Sequence, residues 1–277
     1  MSHIMEDKYK YTLQNKEAWN KRTLLHFDSE FYDVEGFLNG NSSLKNIEMD
    51  ILNNYDLKCK NILHLQCHFG QDTLSLTRLG ANVTGIDISD TAISYANKLK
   101  EKMLHHGEKI NADFICCNVF ELPSHLDKKF DIIYTSYGVL GWLHSMDEWA
   151  KIISHFLKPG GILILVEFHP FIWLFNENDY SKIIYSYFNR APIIETKKGT
   201  YTDPDNEIEI TDVQFSHTIS DVLSSLIKNG MRIKDMKEYD HSPYGCFNEL
   251  DYQNGKYHMG PFGDKLPYVF SVIAEME

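Results

Sequence analysis

The feature that most constrains the fold is an alternation of short apolar runs with segments of helical periodicity between Asn61 and Phe168. Strands of a covered parallel sheet read as short apolar runs, whereas amphipathic helices repeat apolar residues every three or four positions. The alternation therefore predicts a parallel sheet with helices on both faces. The predicted strands are 61–66, 82–87, 112–117, 130–136 and 161–168, and the predicted helices between them are 72–80, 89–104 and 146–158.

The segments that flank this alternation have different patterns. Residues 15–27 and 42–55 have helical periodicity, and a serine is expected to cap the second of these helices. Residues 170–215 are aromatic, polar and irregular and are too long for a plain connection, so extra strands over the site are predicted there. The elements predicted after them are a helix at 218–230, a strand at 231–239, an aromatic loop at 240–263 and a strand at 267–276.

These patterns predict the domain organisation. Residues 1–55 are expected to form a helical cap or lid, and residues 56–277 a single α/β domain with residues 170–215 as an insertion over the acceptor site. A separate second domain is a weaker alternative, because no Pro/Gly/Ser-rich linker marks its boundary.

Composition narrows the class of protein. A formal net charge of −12 over 277 residues disfavours a long nucleic-acid backbone as partner, since such partners require clustered Lys and Arg. The 5 cysteines have no paired metal-binding spacing, so free thiols, no metal and a reducing cytoplasm are expected. The apolar runs are shorter than the roughly 18 residues of a membrane span. The start, MSHIMEDKYKYT, does not have the apolar core of a signal peptide.

The loop after the first predicted strand decides which ligand the sheet can hold. In an open parallel sheet, ligands lie beyond the carboxyl ends of the strands, where residues 66–72 begin a helix and Asp87 ends the next strand. A dinucleotide needs several glycines so that the backbone can approach its pyrophosphate, but Gln66 and His68 occupy the first two glycine positions and Gly70 remains. These residues argue against NAD and are compatible with a sulfonium cofactor, S-adenosylmethionine, which has no phosphate. The alternative is an ordinary strand–helix–strand unit in which Asp87 caps a helix.

The stretch NILHLQCHFGQDTLSLTRLGANVTGIDIS, followed by CNVFELP, FDIIYTSYGVLGWL and FLKPGGILILVEFHP, resembles the class I S-adenosylmethionine-dependent methyltransferases. The motifs match in order and spacing over about residues 55 to 170. The chain departs from the usual pattern at His64, Gln66, His68 and Asn118. The resemblance implies a three-layer Rossmann-like sandwich with a seven-stranded, mostly parallel sheet and an antiparallel last strand.

The resemblance also implies a cofactor site. Asp87 would bind the ribose hydroxyls, Asn118 the adenine edge, and Arg22 the cofactor carboxylate. Trp19 and Arg22 would belong to an N-terminal helix that folds over the cofactor. The residues implied to bind S-adenosylmethionine are Trp19, Arg22, Gln66, His68, Gly70, Asp87, Ile88, Asn118, Val119, Phe120, Ser136 and Tyr137.

Methyl transfer is an in-line displacement, and it needs a general base only when the acceptor carries a proton that it cannot lose freely. His169, just after the fifth predicted strand, is the first candidate base, and a structural histidine is an equally good interpretation of it. His144 and Glu167 are the further catalytic candidates.

The leading hypothesis is therefore a methyltransferase that acts on a small molecule, with neither nucleic acid nor membrane as partner. The sequence TSYG after the fourth strand lacks the amide and prolines that base N-methylation uses in related enzymes. Modification of a protein side chain stays open. The alternatives are a nicotinamide-dependent oxidoreductase and a cofactor-binding scaffold without catalysis. The sequence does not specify an oligomeric state.

Overall fold

The computed structural model describes residues 2–175, 180, 182–247, 250–260 and 262–277. The strands in this part of the chain are β1 (Asn61–Leu65), β2 (Asn82–Asp87), β3 (Ala112–Cys116), β4 (Phe130–Ser136), β5 (Leu157–Phe168), β6 (Ile193–Lys198), β7 (Glu209–Gln214), β8 (Met231–Tyr239), β9 (Leu250–Gln253), β10 (Lys256–Met259) and β11 (Val269–Met276). The α-helices are α1 (Ser2–Phe27), α2 (Val34–Leu38), α3 (Asn46–Leu52), α4 (Gln71–Arg78), α5 (Asp90–His105), α6 (Met146–Phe156) and α7 (Ile219–Lys228).

A seven-stranded sheet with the order β3-β2-β1-β4-β5-β11-β8 forms the centre of the molecule. The first five of these strands are parallel, and β11, the last strand in the chain, runs antiparallel to both of its neighbours. The strand order reverses between β1 and β4, so a crevice is expected at their carboxyl ends. The predicted fold class, a three-layer sandwich with an antiparallel last strand, is confirmed.

Hydrophobic clusters cover both faces of the sheet. Trp149 of α6 belongs to the cluster that includes Leu63 of β1, whereas Ile51 of α3 belongs to the cluster that includes Ile62 of the same strand. Neighbouring residues of a strand point to opposite faces, so these two clusters are the two sides of one sheet. The near-continuous burial of β1, β2 and β4 explains why their apolar runs were readable in the sequence.

Two helix starts show how local sequence sets the boundaries. Thr218 caps α7, and its hydroxyl accepts a hydrogen bond from Asp221 N at 3.1 Å. The predicted serine cap of the second helix is wrong, because α3 begins at Asn46 after Lys45. The serine hydroxyls are used elsewhere, since Ser43 Oγ lies 2.9 Å from Ser75 Oγ on α4.

The insertion contains the extra strands that the sequence predicts, as the antiparallel pair β6–β7. The region predicted as an aromatic loop, 240–263, instead contains a second antiparallel pair, β9–β10. The predicted division into a cap, residues 1–55, and a domain, residues 56–277, stays a prediction.

We expect Gly70→Ala to lower the free energy of unfolding by more than Gly107→Ala. Both glycines have positive φ, 81° and 84°, so each substitution costs roughly 1–2 kcal/mol of backbone strain. An added Cβ at Gly70 would also lie 2.6 Å from the Phe114 ring, whereas at Gly107 it would meet open space. Urea denaturation measures both losses, and equal losses would contradict the tight packing of the loop before α4.

Candidate active site

A cavity of about 1370 Å³ opens at the carboxyl ends of β1, β2 and β4. It is larger than the roughly 300–1,000 Å³ of a typical small-molecule pocket, so it has room for two ligands side by side. Every residue that the sequence analysis assigned to the cofactor lines this cavity, and so do the candidate bases His144 and Glu167. His169 does not belong to its lining.

The loop between β1 and α4 forms the floor of the cavity. Gln66, His68 and Gly70 all have positive φ, at 56°, 51° and 81°. Non-glycine residues in this conformation cost of order 1–3 kcal/mol each and persist where the surroundings fix them. Here Cys67 N donates to Ile86 O at 2.8 Å, and Gly70 N donates to Cys67 O at 2.9 Å. The loop thus keeps a left-handed backbone at two positions that also carry side chains.

Asp87 lies at the end of β2 and joins this loop to the start of α5. Its Oδ2 accepts a hydrogen bond from His68 N at 2.8 Å, and its Oδ1 accepts one from Ser89 N at 2.8 Å. Burial raises the pKa of Asp87 to about 6, although the backbone donors oppose the shift. Ser89, not Asp87, caps α5 through Ala92 N at 2.9 Å. Since a carboxylate has about four acceptor positions, Asp87 can still accept two hydroxyl groups.

The wall beside Asp87 is formed by the short 3₁₀ helix Val119–Ser124 and by the residue before it. Asn118 caps this helix, with its Oδ1 accepting from Phe120 N at 3.2 Å. The Phe120 ring stacks on His144, with centroids 4.3 Å apart and planes at 23°. The imidazole of His144 also lies 3.8 Å from the carboxylate of Glu148. His144 therefore stands in the aromatic wall.

The other two candidate bases hold the backbone around the site. The Glu167 carboxylate is buried and accepts hydrogen bonds from Val139 N at 2.7 Å and Leu140 N at 2.9 Å, as well as from Gly138 N. Burial raises its pKa, and these backbone donors oppose the rise. With several donors already on it, this carboxylate orients the loop after β4.

His169 is buried next to β8. Its Nε2 lies 3.0 Å from Glu238 Oε1, and its Nδ1 accepts from Phe171 N at 3.1 Å. Burial lowers its pKa, while Glu238 opposes the change. The structure thus does not place His169 at the cavity with His144 and Glu167. The geometry of His169 favours a structural histidine, which was as good an interpretation of the sequence as a catalytic base.

Helix α1 and strand β7 together cover the cavity. The Asn15 side chain forms two hydrogen bonds with the backbone of Val213, donating to its O at 2.8 Å and accepting from its N at 2.8 Å. Arg22 forms an ion pair with Asp212, and its guanidinium lies 5.4 Å from the ring centroids of Trp19 and Trp142. The predicted cap and the predicted insertion are therefore bonded to each other.

Arg22 and Gln66 line the cavity, and each has a buried polar atom whose hydrogen-bonding capacity is not satisfied by the part of the chain that the structure describes. Among the described residues, neither Arg22 Nη1 nor Gln66 Oε1 has a hydrogen-bond partner, although both atoms are buried. Gln66 Nε2, by contrast, donates to Val139 O at 2.9 Å. A buried unpaired donor and a buried unpaired acceptor are costly unless a ligand satisfies them.

Sequence reasoning missed Asn15, Glu48 and Asp212. Asn15 and Asp212 act through partners about 190 residues away in the chain, and no local pattern signals such a contact. Tyr137 was predicted, but its partner Glu48 lies 89 residues away. A buried polar residue on the apolar face of a helix was the one available signal for Asn15 and Glu48.

Within the described residues, no group of three or more His, Cys, Asp or Glu side chains is arranged to hold a metal ion. No helix in the described part of the chain is both long and apolar enough to cross a membrane.

We expect Asn15→Ala to raise the hydrogen-exchange rate of the Val213 amide by roughly 5- to 150-fold, because it leaves two buried backbone groups of β7 unpaired at a cost of about 1–3 kcal/mol. Gln14→Ala is the matched control, since the Gln14 side chain donates to Thr211 O with a longer distance of 3.4 Å. Equal exchange in the two variants would show that Asn15 does not hold the cover.

Comparison with known proteins agrees with this geometry. A family model described as a methyltransferase domain matches residues 63–165. The chain is 36% identical over 123 residues to an uncharacterised methyltransferase of Synechocystis sp., covering 41% of this chain and 50% of that protein. It is 31% identical over 120 residues to a ubiquinone biosynthesis O-methyltransferase of Coxiella burnetii, covering 43% of this chain and 47% of that protein. The chain thus spans about half the length of the curated relatives it matches.

Solved structures share the fold. A putative S-adenosylmethionine-dependent methyltransferase from Listeria monocytogenes superposes with a TM-score of 0.56 at 16% identity, covering 83% of this chain and 98% of that one. An S-adenosylmethionine-dependent methyltransferase from Clostridium acetobutylicum superposes with a TM-score of 0.53 at 18% identity, covering 95% and 98%.

Proposed function

We propose that the chain transfers a methyl group from S-adenosylmethionine to a small-molecule acceptor, a proposal supported by the match of residues 63–165 to a methyltransferase domain and by the shared fold. The observation that carries the proposal is the Asp87 carboxylate, which lines the cavity beside a loop that has Gln66 and His68 where a pyrophosphate-binding loop has glycines. A ribose needs such a carboxylate. A cofactor without phosphate does not need the absent glycines.

The residues present fit this cofactor. The unpaired Arg22 Nη1 is a donor suited to a carboxylate, and the unpaired Gln66 Oε1 is an acceptor suited to an ammonium group. A methionine tail carries both groups. Asp87 then binds the ribose, and Asn118, Phe120 and Ile88 bind the adenine. The role of each of these residues is part of the proposal.

The rest of the cavity supports a small acceptor with an apolar body. Its lining includes Phe31, Trp173, Tyr244 and Phe247, and Asp212 and Gln214 of strand β7 line the same cavity. Aromatic side chains bind apolar and aromatic bodies through large contact areas. The Coxiella burnetii relative is named as an O-methyltransferase of ubiquinone biosynthesis, which also agrees with a small acceptor.

When bound, the cofactor supplies an electrophilic methyl group on a sulfonium. The chain itself aligns the acceptor behind that methyl group and excludes water. The cover formed by α1 and β7 serves the second purpose, since a dry site strengthens electrostatic interactions and prevents hydrolysis. Trp19 and Trp142 border the same space, and both rings lie against the Arg22 guanidinium, which they help to hold in place.

Calorimetric titration separates this function from its alternatives. We expect the protein to bind S-adenosylmethionine and its demethylated product, S-adenosylhomocysteine, and not to bind NAD, because Gln66 and His68 crowd a pyrophosphate. Preferential NAD binding would favour an oxidoreductase. Cofactor binding without methyl transfer to a broad acceptor panel would favour a scaffold that has lost catalysis.

We expect Asp87→Ala to weaken S-adenosylhomocysteine binding by roughly 10-fold or more, because a hydrogen bond to a charged group contributes about 1.5–3 kcal/mol. Asp113→Ala is the matched control, since Asp113 lies on the neighbouring strand β3 with its side chain 86% exposed. An unchanged dissociation constant in Asp87→Ala would remove Asp87 from the site.

The pH dependence gives a second measurement on the same residue. The ionised carboxylate accepts the ribose hydroxyls, and the pKa of Asp87 in the free protein is about 6. The affinity of the unsubstituted protein is therefore expected to rise with pH up to about 6 and to stay level above it, and Asp87→Ala is expected to lack that rise.

A further inference from the structure

Tyr137 occupies an unusual position at the end of β4. Its φ is 26°, although it is not a glycine, and its ring lines the cavity. Tyr137 N donates to Val166 O at 2.8 Å, and the next three backbone N–H groups are held by Glu167. Strained backbone of this kind persists only where the surroundings impose it, and it is concentrated at functional sites. β4 ends beside β1, at the crevice where the strand order reverses.

The Tyr137 hydroxyl donates a hydrogen bond to Glu48 Oε2 at 2.7 Å. Glu48 lies on α3 with no exposed surface, and its Oε1 accepts from Lys45 N at 3.2 Å. In the described part of the chain, no ion pair links Glu48 to a basic side chain. A buried carboxylate without a cation is a good proton acceptor, because protonation removes its buried charge.

The groups around the Glu48 carboxylate strengthen its tendency to accept a proton. Asp72 of α4 is the second carboxylate, and it also accepts a hydrogen bond from Ser136 Oγ at 3.2 Å. The titratable groups that face Glu48 and Asp72 include Tyr134 and Tyr137 of β4, Tyr244 after β8, and His64 and Tyr32, which interact with Asp72. The Lys45 ammonium lies 5.0 Å from the centroid of the Tyr244 ring. Burial and then Asp72 raise the pKa of Glu48 to about 7, which is suitable for a general base at neutral pH.

We propose that Tyr137 and Glu48 form a proton relay that takes up the proton released by the attacking atom of the acceptor, a hydroxyl oxygen or an amine nitrogen. This inference rests on the proposed function. As the new bond from the acceptor atom to the methyl carbon forms, the bond from carbon to sulfur breaks and its electron pair stays on sulfur. The acceptor's proton passes to the Tyr137 oxygen, and the phenolic proton passes to Glu48 Oε2. The relay assigns the reaction to acceptors that lose a proton.

The relay is tested with two acceptors, catechol for hydroxyls and phenylethylamine for amines, and with the variants Tyr137→Phe and Glu48→Gln. We expect each variant to slow methylation by roughly 10²- to 10⁴-fold, and Glu48→Gln to leave S-adenosylhomocysteine binding unchanged. Tyr134→Phe is the matched control, because it removes a neighbouring buried hydroxyl on the same strand that does not line the cavity. Its turnover is expected to equal that of the unsubstituted protein.

The pH profile distinguishes a relay from a merely structural contact. Turnover needs ionised Glu48, so it is expected to rise with pH through about 7 and then to level, and Glu48→Gln is expected to lack this rise. Equal turnover in Tyr137→Phe and the unsubstituted protein would overturn the relay and leave the proposed function intact. Absence of S-adenosylhomocysteine binding would overturn the proposed function itself.

An infrared titration tests the relay if neither acceptor is methylated. The carbonyl band of a protonated, buried carboxyl group is expected to disappear between about pH 5 and 9, and to be absent in Glu48→Gln. Tyr137→Phe is expected to shift the band, since it removes the hydrogen-bond donor to Glu48. If no such band depends on Glu48 in this pH range, the relay is overturned.

Discussion

The candidate site depends on the hydrogen bond from His68 N to the Asp87 carboxylate. This bond joins the loop after β1 to the end of β2, and the second oxygen of the same carboxylate holds Ser89 N at the start of α5. The carboxylate thereby keeps His68 in a left-handed conformation that a side chain disfavours. The two backbone donors offset part of the cost of burying a charge, so Asp87 keeps a charge that can face the cavity at neutral pH.

The cover formed by α1 and β7 is the second element that shapes the cavity. The Asn15 side chain forms two hydrogen bonds with the backbone of Val213, as a neighbouring strand would. Arg22 of α1 forms an ion pair with Asp212 of β7. A buried ion pair contributes little net stability, because desolvation opposes the attraction between its charges. The ion pair instead orients the Arg22 side chain, whose buried Nη1 has no hydrogen-bond partner among the described residues. A cavity lined by α1 and β7 suits the proposed methyl transfer, which is favoured where water is excluded.

The sequence predicted the secondary structure well where local residue patterns determine it. Strands β2 and β4 have the predicted bounds, because their apolar runs are buried on both faces. The residues that motif order predicts to bind the cofactor line one cavity, and their roles stay predictions. The start of α3 was predicted wrongly, since Ser43 bonds to Ser75 of α4 and Ser42 accepts a hydrogen bond from Leu44 N, so neither serine caps the helix.

What the sequence did not reveal is long-range pairing. The contacts of Asn15 with Val213 and of Tyr137 with Glu48 join residues that are far apart in the chain, so no spacing rule indicates them. His169 was a candidate base, with a structural histidine as the equal alternative, because it follows strand β5. Its side chain instead pairs with Glu238 of β8, and strand position alone does not specify where a side chain points.

A crystal structure with S-adenosylhomocysteine tests the central claim most directly, namely that a loop with side chains at its left-handed positions holds a cofactor without phosphate. The account predicts both ribose hydroxyls at hydrogen-bond distance from the Asp87 carboxylate, with the amino-acid tail between Gln66 and Arg22. A ligand bound elsewhere, or a ribose that does not contact Asp87, would contradict it.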